Sequence, residues 1–172
     1  MLVDLQRQVE SETDDFYRWT PVDSMHLTLY FLGDCDEATL NEIIHRVDQI
    51  ALPPFETTIE DVICLPEPTV PRILAVSLGD PDGTLRRLHQ QVQDRVSPIA
   101  PYRETRMFRP HITFGRLRKE KPSNAKQVKR ALAKLSVPQG ISFVTDSFEL
   151  MESNLEKTGA TYETIRDFKL LA

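Results

Sequence analysis

Two short segments carry side chains suited to acid–base chemistry, His26-Leu27-Thr28-Leu29 and His111-Ile112-Thr113-Phe114. The pattern histidine–apolar–threonine–apolar thus occurs twice, 85 residues apart. On a β-strand, side chains two apart share a face. Each copy then presents one imidazole and one hydroxyl together, with its apolar residues turned to a core. Two such strands facing each other across a cleft would surround one small anion with two imidazoles and two hydroxyls. An ordinary imidazole titrates near pH 6.5, so one ring can take a proton while the other gives one. Threonine hydroxyls donate to non-bridging phosphate oxygens as charge develops. This is equipment for cleaving a phosphodiester with no metal and no other cofactor.

In the first copy His26, Thr28 and Tyr30 fall on one strand face, and Leu27, Leu29 and Phe31 on the other, the expected core face. In the second, Ile112 and Phe114 are the core side and His111 and Thr113 point away. The remaining histidines, His45 and His89, lie in helical patterns without a threonine partner and read as structural. Arg116 stands five residues beyond His111, an odd offset that puts it on the wrong face of a regular strand. Gly115 between them can support a bulge that re-aims it toward a phosphate. Phe108 is a candidate for stacking on a nucleobase and equally one for the core. Trp19 reads as a packing residue. Residues 103–121 carry seven basic side chains against two acidic ones, whereas the whole chain has a net charge of −5. A local positive field around the second motif would gather an anionic substrate, and the overall charge argues against binding long duplex DNA.

The elements that must position these residues follow from periodicity and punctuation. Apolar spacing predicts a weak helix over 2–18, a strand over 25–32 and a helix from the Asp36 cap to about Ile50. Strands are expected over 55–65 and 72–78, with prolines 66, 68 and 71 turning the chain between them. A helix over 84–96 precedes a short strand at 102–106 and the second motif strand at 108–117. A helix over 123–135, a strand over 141–151, a turn at 153–158 and a strand over 161–171 complete the chain. Many consecutive strands lack a helix between them, so the sheets should be mainly antiparallel. The motifs precede helices at corresponding places in two halves. The expected fold is α+β and bilobal, with duplicated lobes around a central cleft and helices outside.

At 172 residues, with 40% hydrophobic and 27% charged side chains, the chain suits one globular domain. Two cysteines, Cys35 and Cys64, form no disulfide framework or zinc motif, which suggests free thiols in a cytoplasmic protein. There is no signal-like leader and no stretch of about 18 apolar residues to span a membrane.

The stretch Arg18-Trp19-Thr20-Pro21, continuing to His26-Leu27-Thr28-Leu29-Tyr30-Phe31-Leu32-Gly33, resembles the first signature of the RNA 2′,3′-cyclic phosphodiesterase family. That family, also named 2′-5′ RNA ligase, belongs to the two-histidine phosphoesterases. Phe108-Arg109-Pro110-His111-Ile112-Thr113-Phe114-Gly115-Arg116 resembles its second signature, and Glu152-Ser153-Asn154-Leu155 with Gly159-Ala160-Thr161-Tyr162 its ending. The resemblance implies hydrolysis of a 2′,3′-cyclic phosphate at an RNA end to a 2′-phosphate, with reverse joining through 2′-5′ linkages in some members. It implies His26 as general acid for the 3′ oxygen and His111 as base for water. Thr28, Thr113 and Arg116 would hold the phosphate. Expected partners are RNA ends or small cyclic nucleotides, bound by a monomer. A two-histidine enzyme for ADP-ribose cyclic phosphate or 2′,5′-oligoadenylate, and a non-catalytic RNA-end binder, are the alternatives. The family pattern departs at two places. Its first strand has no counterpart, because 1–5 already reads as helix, so residues 1–172 are expected to form a two-lobed domain without that strand. Gly115 stands where alanine is frequent.

Overall fold

The amino-terminal run forms an amphipathic helix, shorter than its apolar spacing suggests. In a computed structural model, which describes residues 1–119, 121, 125–135, 140–156 and 159–171, α1 is Leu2–Thr13 with Leu5 and Val9 buried on one side. It ends where Thr13 Oγ1 donates back to the Val9 carbonyl at 2.7 Å. A 3-10 turn at Asp14–Phe16 then leads into β1, Tyr17–Trp19. The segment read as the tail of a helix is therefore a strand, because Tyr17 is drawn into the core and its hydroxyl donates to the Pro71 carbonyl at 2.7 Å. Burial also pushes the Tyr17 phenol well above its ordinary range.

Beyond β1 come α2 (Glu37–Val47), β2 (Phe55–Glu67), β3 (Val70–Gly79), α3 (Thr84–Val96), β4 (His111–Leu117), α4 (Ala125–Leu132), β5 (Ser142–Thr145), β6 (Ser147–Glu156) and β7 (Gly159–Lys169). The α2 cap is as expected, the Asp36 side chain accepting from the Thr39 N–H at 2.8 Å. Helix α3 also has its expected bounds. The Asp80 carboxylate accepts from the first-turn N–H groups of Leu85 and Arg86, at 2.9 and 3.0 Å. The pairings β1–β4, β2–β5, β3–β4 and β6–β7 are all antiparallel. The fold is α+β with antiparallel sheets, as the element order implies.

Four local expectations are corrected. Residues 25–32 form no ladder beyond a single bridge at Leu27, and Phe31 is 53% exposed rather than in a core. Residues 102–106 are not a strand. The Glu104 carboxylate accepts from the Thr105 and Arg106 N–H groups and from the Arg106 guanidinium, which curls the chain on itself. The strand over 141–151 is two strands broken at Asp146. The turn at 153–158 is displaced, since Ser153 and Asn154 pair with Tyr162 and Thr161 in the ladder and residues 157–158 lie outside the described residues. Residues 123–124 of the expected fourth helix also lie outside them.

The chain divides into two compact units. The first comprises residues 1–27, 59–79 and 109–141. Here β4 lies between β1 and β3, with β2 beyond β3. One face of this sheet is covered by α1 and α4, and Leu5, Val9, Tyr17, Cys64, Leu74, Val76, Phe114, Val128 and Ala131 close the core. The second unit comprises residues 28–58, 80–108 and 142–172. Its buried side chains include Ile43 and Val47 of α2, Leu85, Leu88, Val92 and Val96 of α3, and Phe168 of β7. Among the described residues no helix is long and apolar enough to cross a membrane.

Candidate active site

The second motif is built on β4. Its Ile112 and Phe114 pack on the core side, so His111 and Thr113 turn to the opposite face. Ile112 pairs with Val76 of β3 on one edge and with Leu27 on the other. His26 and Leu27 of the first motif therefore lie directly beside the second motif within the first unit. His26 and His111 each adjoin one of the two bridge residues, so the bridge puts them on neighbouring backbone segments. Two imidazoles carried on neighbouring segments can act on a single phosphorus. Both rings are half-buried.

Each ring is anchored in the same way. The His26 Nδ1–H donates to the Ser24 carbonyl at 2.9 Å, and the His111 Nδ1–H to the Arg109 carbonyl at 2.6 Å. A carbonyl can only accept, so the bond places the proton on Nδ1. It leaves Nε2 as the lone-pair or second-proton site in both rings. Sequence alone gave no sign of this. A 3-10 turn at Val22–Ser24 precedes the first motif, and Pro110 precedes the second.

Arg116 reaches the histidine face through a bulge. Leu74 pairs with Gly115 and Ala75 with Thr113, so Phe114 has no partner of its own on β3. One extra residue inverts the alternation. Phe114 and Leu117 both go to the core side, although three apart, and exposed Arg116 goes to the face of His111 and Thr113. The Phe114 carbonyl at the bulge accepts from the Thr20 N–H at 3.0 Å and from Gln6 Nε2 at 2.9 Å. Gln6 Nε2 also donates to the Thr20 carbonyl at 2.7 Å. Sequence reading passed over Gln6. Its only signal is a polar residue next to Leu5 and Val9 on the buried side of α1. Thr28 follows Leu27 as the first residue of the second unit.

Against this geometry the comparisons with known proteins are decisive. Residues 4–156 match the family model described as the 2′-5′ RNA ligase superfamily. The chain belongs to that superfamily. Among curated relatives, a protein of Archaeoglobus fulgidus named RNA 2′,3′-cyclic phosphodiesterase is 30% identical over 147 residues, covering 86% of this chain and 80% of the relative. One of the same name from Aeropyrum pernix is 26% identical over 147 residues, covering 86% and 82%. Solved structures share the fold. TT0787 of Thermus thermophilus superposes with a TM-score of 0.75 at 21% identity, covering 98% of this chain and 91% of its own. E. coli LigT in apo form gives 0.72 at 19% identity, covering 98% and 92%.

Of the other residues singled out in this 2′-5′ RNA ligase superfamily chain, Phe108 and His89 form a pair within the second unit. Their rings stack at 3.8 Å between centroids and 6° between planes. One face of Phe108 is thus occupied by protein. Burial pulls the His89 imidazole below its ordinary value, so the folded state prefers it neutral. Protonation then favours the unfolded chain, and this contribution to stability is complete above about pH 6.5 and is lost as pH falls below it. The carboxylate of Glu104, held down at about 2 by hydrogen bonds from Arg106, titrates far below that window. The drop in unfolding midpoint between pH 7.5 and 5.5 should shrink in His89→Phe, and an unchanged drop would exclude this account. Cys35 and Cys64 are free thiols, and burial raises both. Among the described residues no three His, Cys, Asp or Glu side chains cluster as ligands for a metal ion.

Proposed function

We propose that this protein hydrolyses 2′,3′-cyclic phosphate ends of RNA to 2′-phosphates, with the two motif histidines as a metal-independent acid–base pair. The Leu27–Ile112 bridge supports the reading, because His26 and His111 each adjoin one of its two residues. In the reaction, Nε2 of His111 takes a proton from water as the water oxygen bonds to phosphorus. The bond from phosphorus to O3′ breaks, and Nε2–H of His26 gives its proton to that oxygen. Thr113 and Thr28 donate to the non-bridging oxygens, and Arg116 supplies the fixed charge that the bulge brings to this face. With a 5′-hydroxyl in place of water, the same transfers join two ends through a 2′-5′ linkage. The names of the curated relatives support RNA ends as the substrate.

The direct test is product identity. An oligonucleotide ending in a 2′,3′-cyclic phosphate, incubated with the protein and a chelator, should yield a 2′-phosphomonoester alone by phosphorus NMR. A 3′-phosphate product, or activity that vanishes with the chelator, would overturn the assignment.

A further inference from the structure

One more cation lies on the histidine face. Arg18, the middle residue of β1, stands directly opposite Arg116 in register. Its neighbours Tyr17 and Trp19 pack on the core side, so Arg18 turns to the face that the bulge gives to Arg116. Both arginines are exposed. Neither has an ion-pair partner among the described residues, whereas Arg118, two residues on, pairs with Asp15 at 2.9 Å. Like charges directly opposite on adjacent strands repel. A single charge on an edge strand discourages pairing with other chains. That need does not account for two cations set against each other with no ion-pair partner among the described residues. An anion between them would turn the repulsion into a binding site.

The anion's identity follows from position. The histidine pair is centred on the register of Ile112, and Arg18 lies at the register of Arg116. With one residue absorbed by the bulge, that is three strand steps, roughly 10 Å. Arg116 can bridge this distance from β4, while Arg18 sits a strand further out. Resting on the phosphodiesterase reading above, we propose that Arg18 binds the phosphodiester one nucleotide upstream of the reacting cyclic phosphate. The site then prefers an RNA end, with a charged backbone behind it, to a lone cyclic mononucleotide.

The test uses dinucleotides ending in a 2′,3′-cyclic phosphate whose internucleotide link is either a normal phosphodiester or an uncharged methylphosphonate. For the wild type, kcat/KM should fall about tenfold when the link is neutralised, a loss of about 1.4 kcal/mol. Arg18→Ala should show that loss on the charged substrate and none on the neutral one, with an unchanged unfolding midpoint. Arg18→Lys should recover part of it, and rising salt should narrow the gap. Equal losses on both substrates place Arg18 at the reacting phosphate or in the fold, and no loss on either leaves it a solvated edge residue. Each of these outcomes overturns the proposal. If the wild type hydrolyses neither substrate, the phosphodiesterase reading falls. The same four combinations, read as binding by fluorescence anisotropy, then decide the role of Arg18 on their own.

Discussion

Alanine at either His26 or His111 should cut turnover of a cyclic-phosphate-ended oligonucleotide by at least about a hundredfold, because a placed acid or base typically gives about 10²–10⁴ in rate. Neither ring is part of the buried core, so the unfolding midpoint should stay within a few degrees of the wild type. The Nδ1 bonds sharpen this test. Asparagine can keep a donor near the position of Nδ1, and so the link to the Ser24 or Arg109 carbonyl, but it has nothing at Nε2 that transfers a proton. His26→Asn and His111→Asn should therefore be as inactive as the alanine variants while folding at least as well. The double variant should lose little beyond either single one, since the two rings act as a unit in one displacement. Substantial turnover by His111→Asn would remove that ring from proton transfer and leave it a positioning role.

What the sequence disclosed about this site was local, and what it withheld was long-range. Alternation along 111–114 assigned His111 and Thr113 to one face because two-residue periodicity needs no partner strand to be read. The cap at Asp36 and the bounds of α3 were equally legible, since capping chemistry is written in neighbouring residues. By contrast, the pairing of Leu27 with Ile112 joins residues far apart in the chain. Nothing in either segment states its register. The strand expected over 102–106 failed for a related reason. Its side-chain pattern allowed a strand, but Glu104 satisfied nearby N–H groups itself. Arg116 is the intermediate case. Its odd offset gave the wrong face, Gly115 hinted at a bulge, and only the β3 partners show where the count slips.

Gly115→Ala should therefore disturb both stability and the site, although alanine is the smallest possible change. Gly115 lies on the core side, with Leu74 opposite it on β3 and Trp19 opposite it on β1. A β-carbon there would stand 2.9 Å from Trp19 Cζ3 and 3.0 Å from Cε3. These atoms belong to a rigid ring stacked on buried Tyr17 at 5.8 Å and tethered through Nε1–H to Glu10 Oε1 at 2.8 Å. The ring cannot yield as the end of a flexible side chain would, so the strain passes to β1 or to the bulge. Overpacking of this kind costs about 1–3 kcal/mol. A shift in β1 or the bulge also moves Arg116, the next residue, and activity should fall with stability. A second change separates the causes. Trp19→Leu removes the ring from above Gly115, so the double variant Gly115→Ala, Trp19→Leu should be more stable than the two single losses added together. Strict additivity of the two would show that the ring is not what alanine meets. Where relatives in this superfamily carry alanine at this position, the residue facing it on the neighbouring strand should be smaller than tryptophan or displaced from the contact.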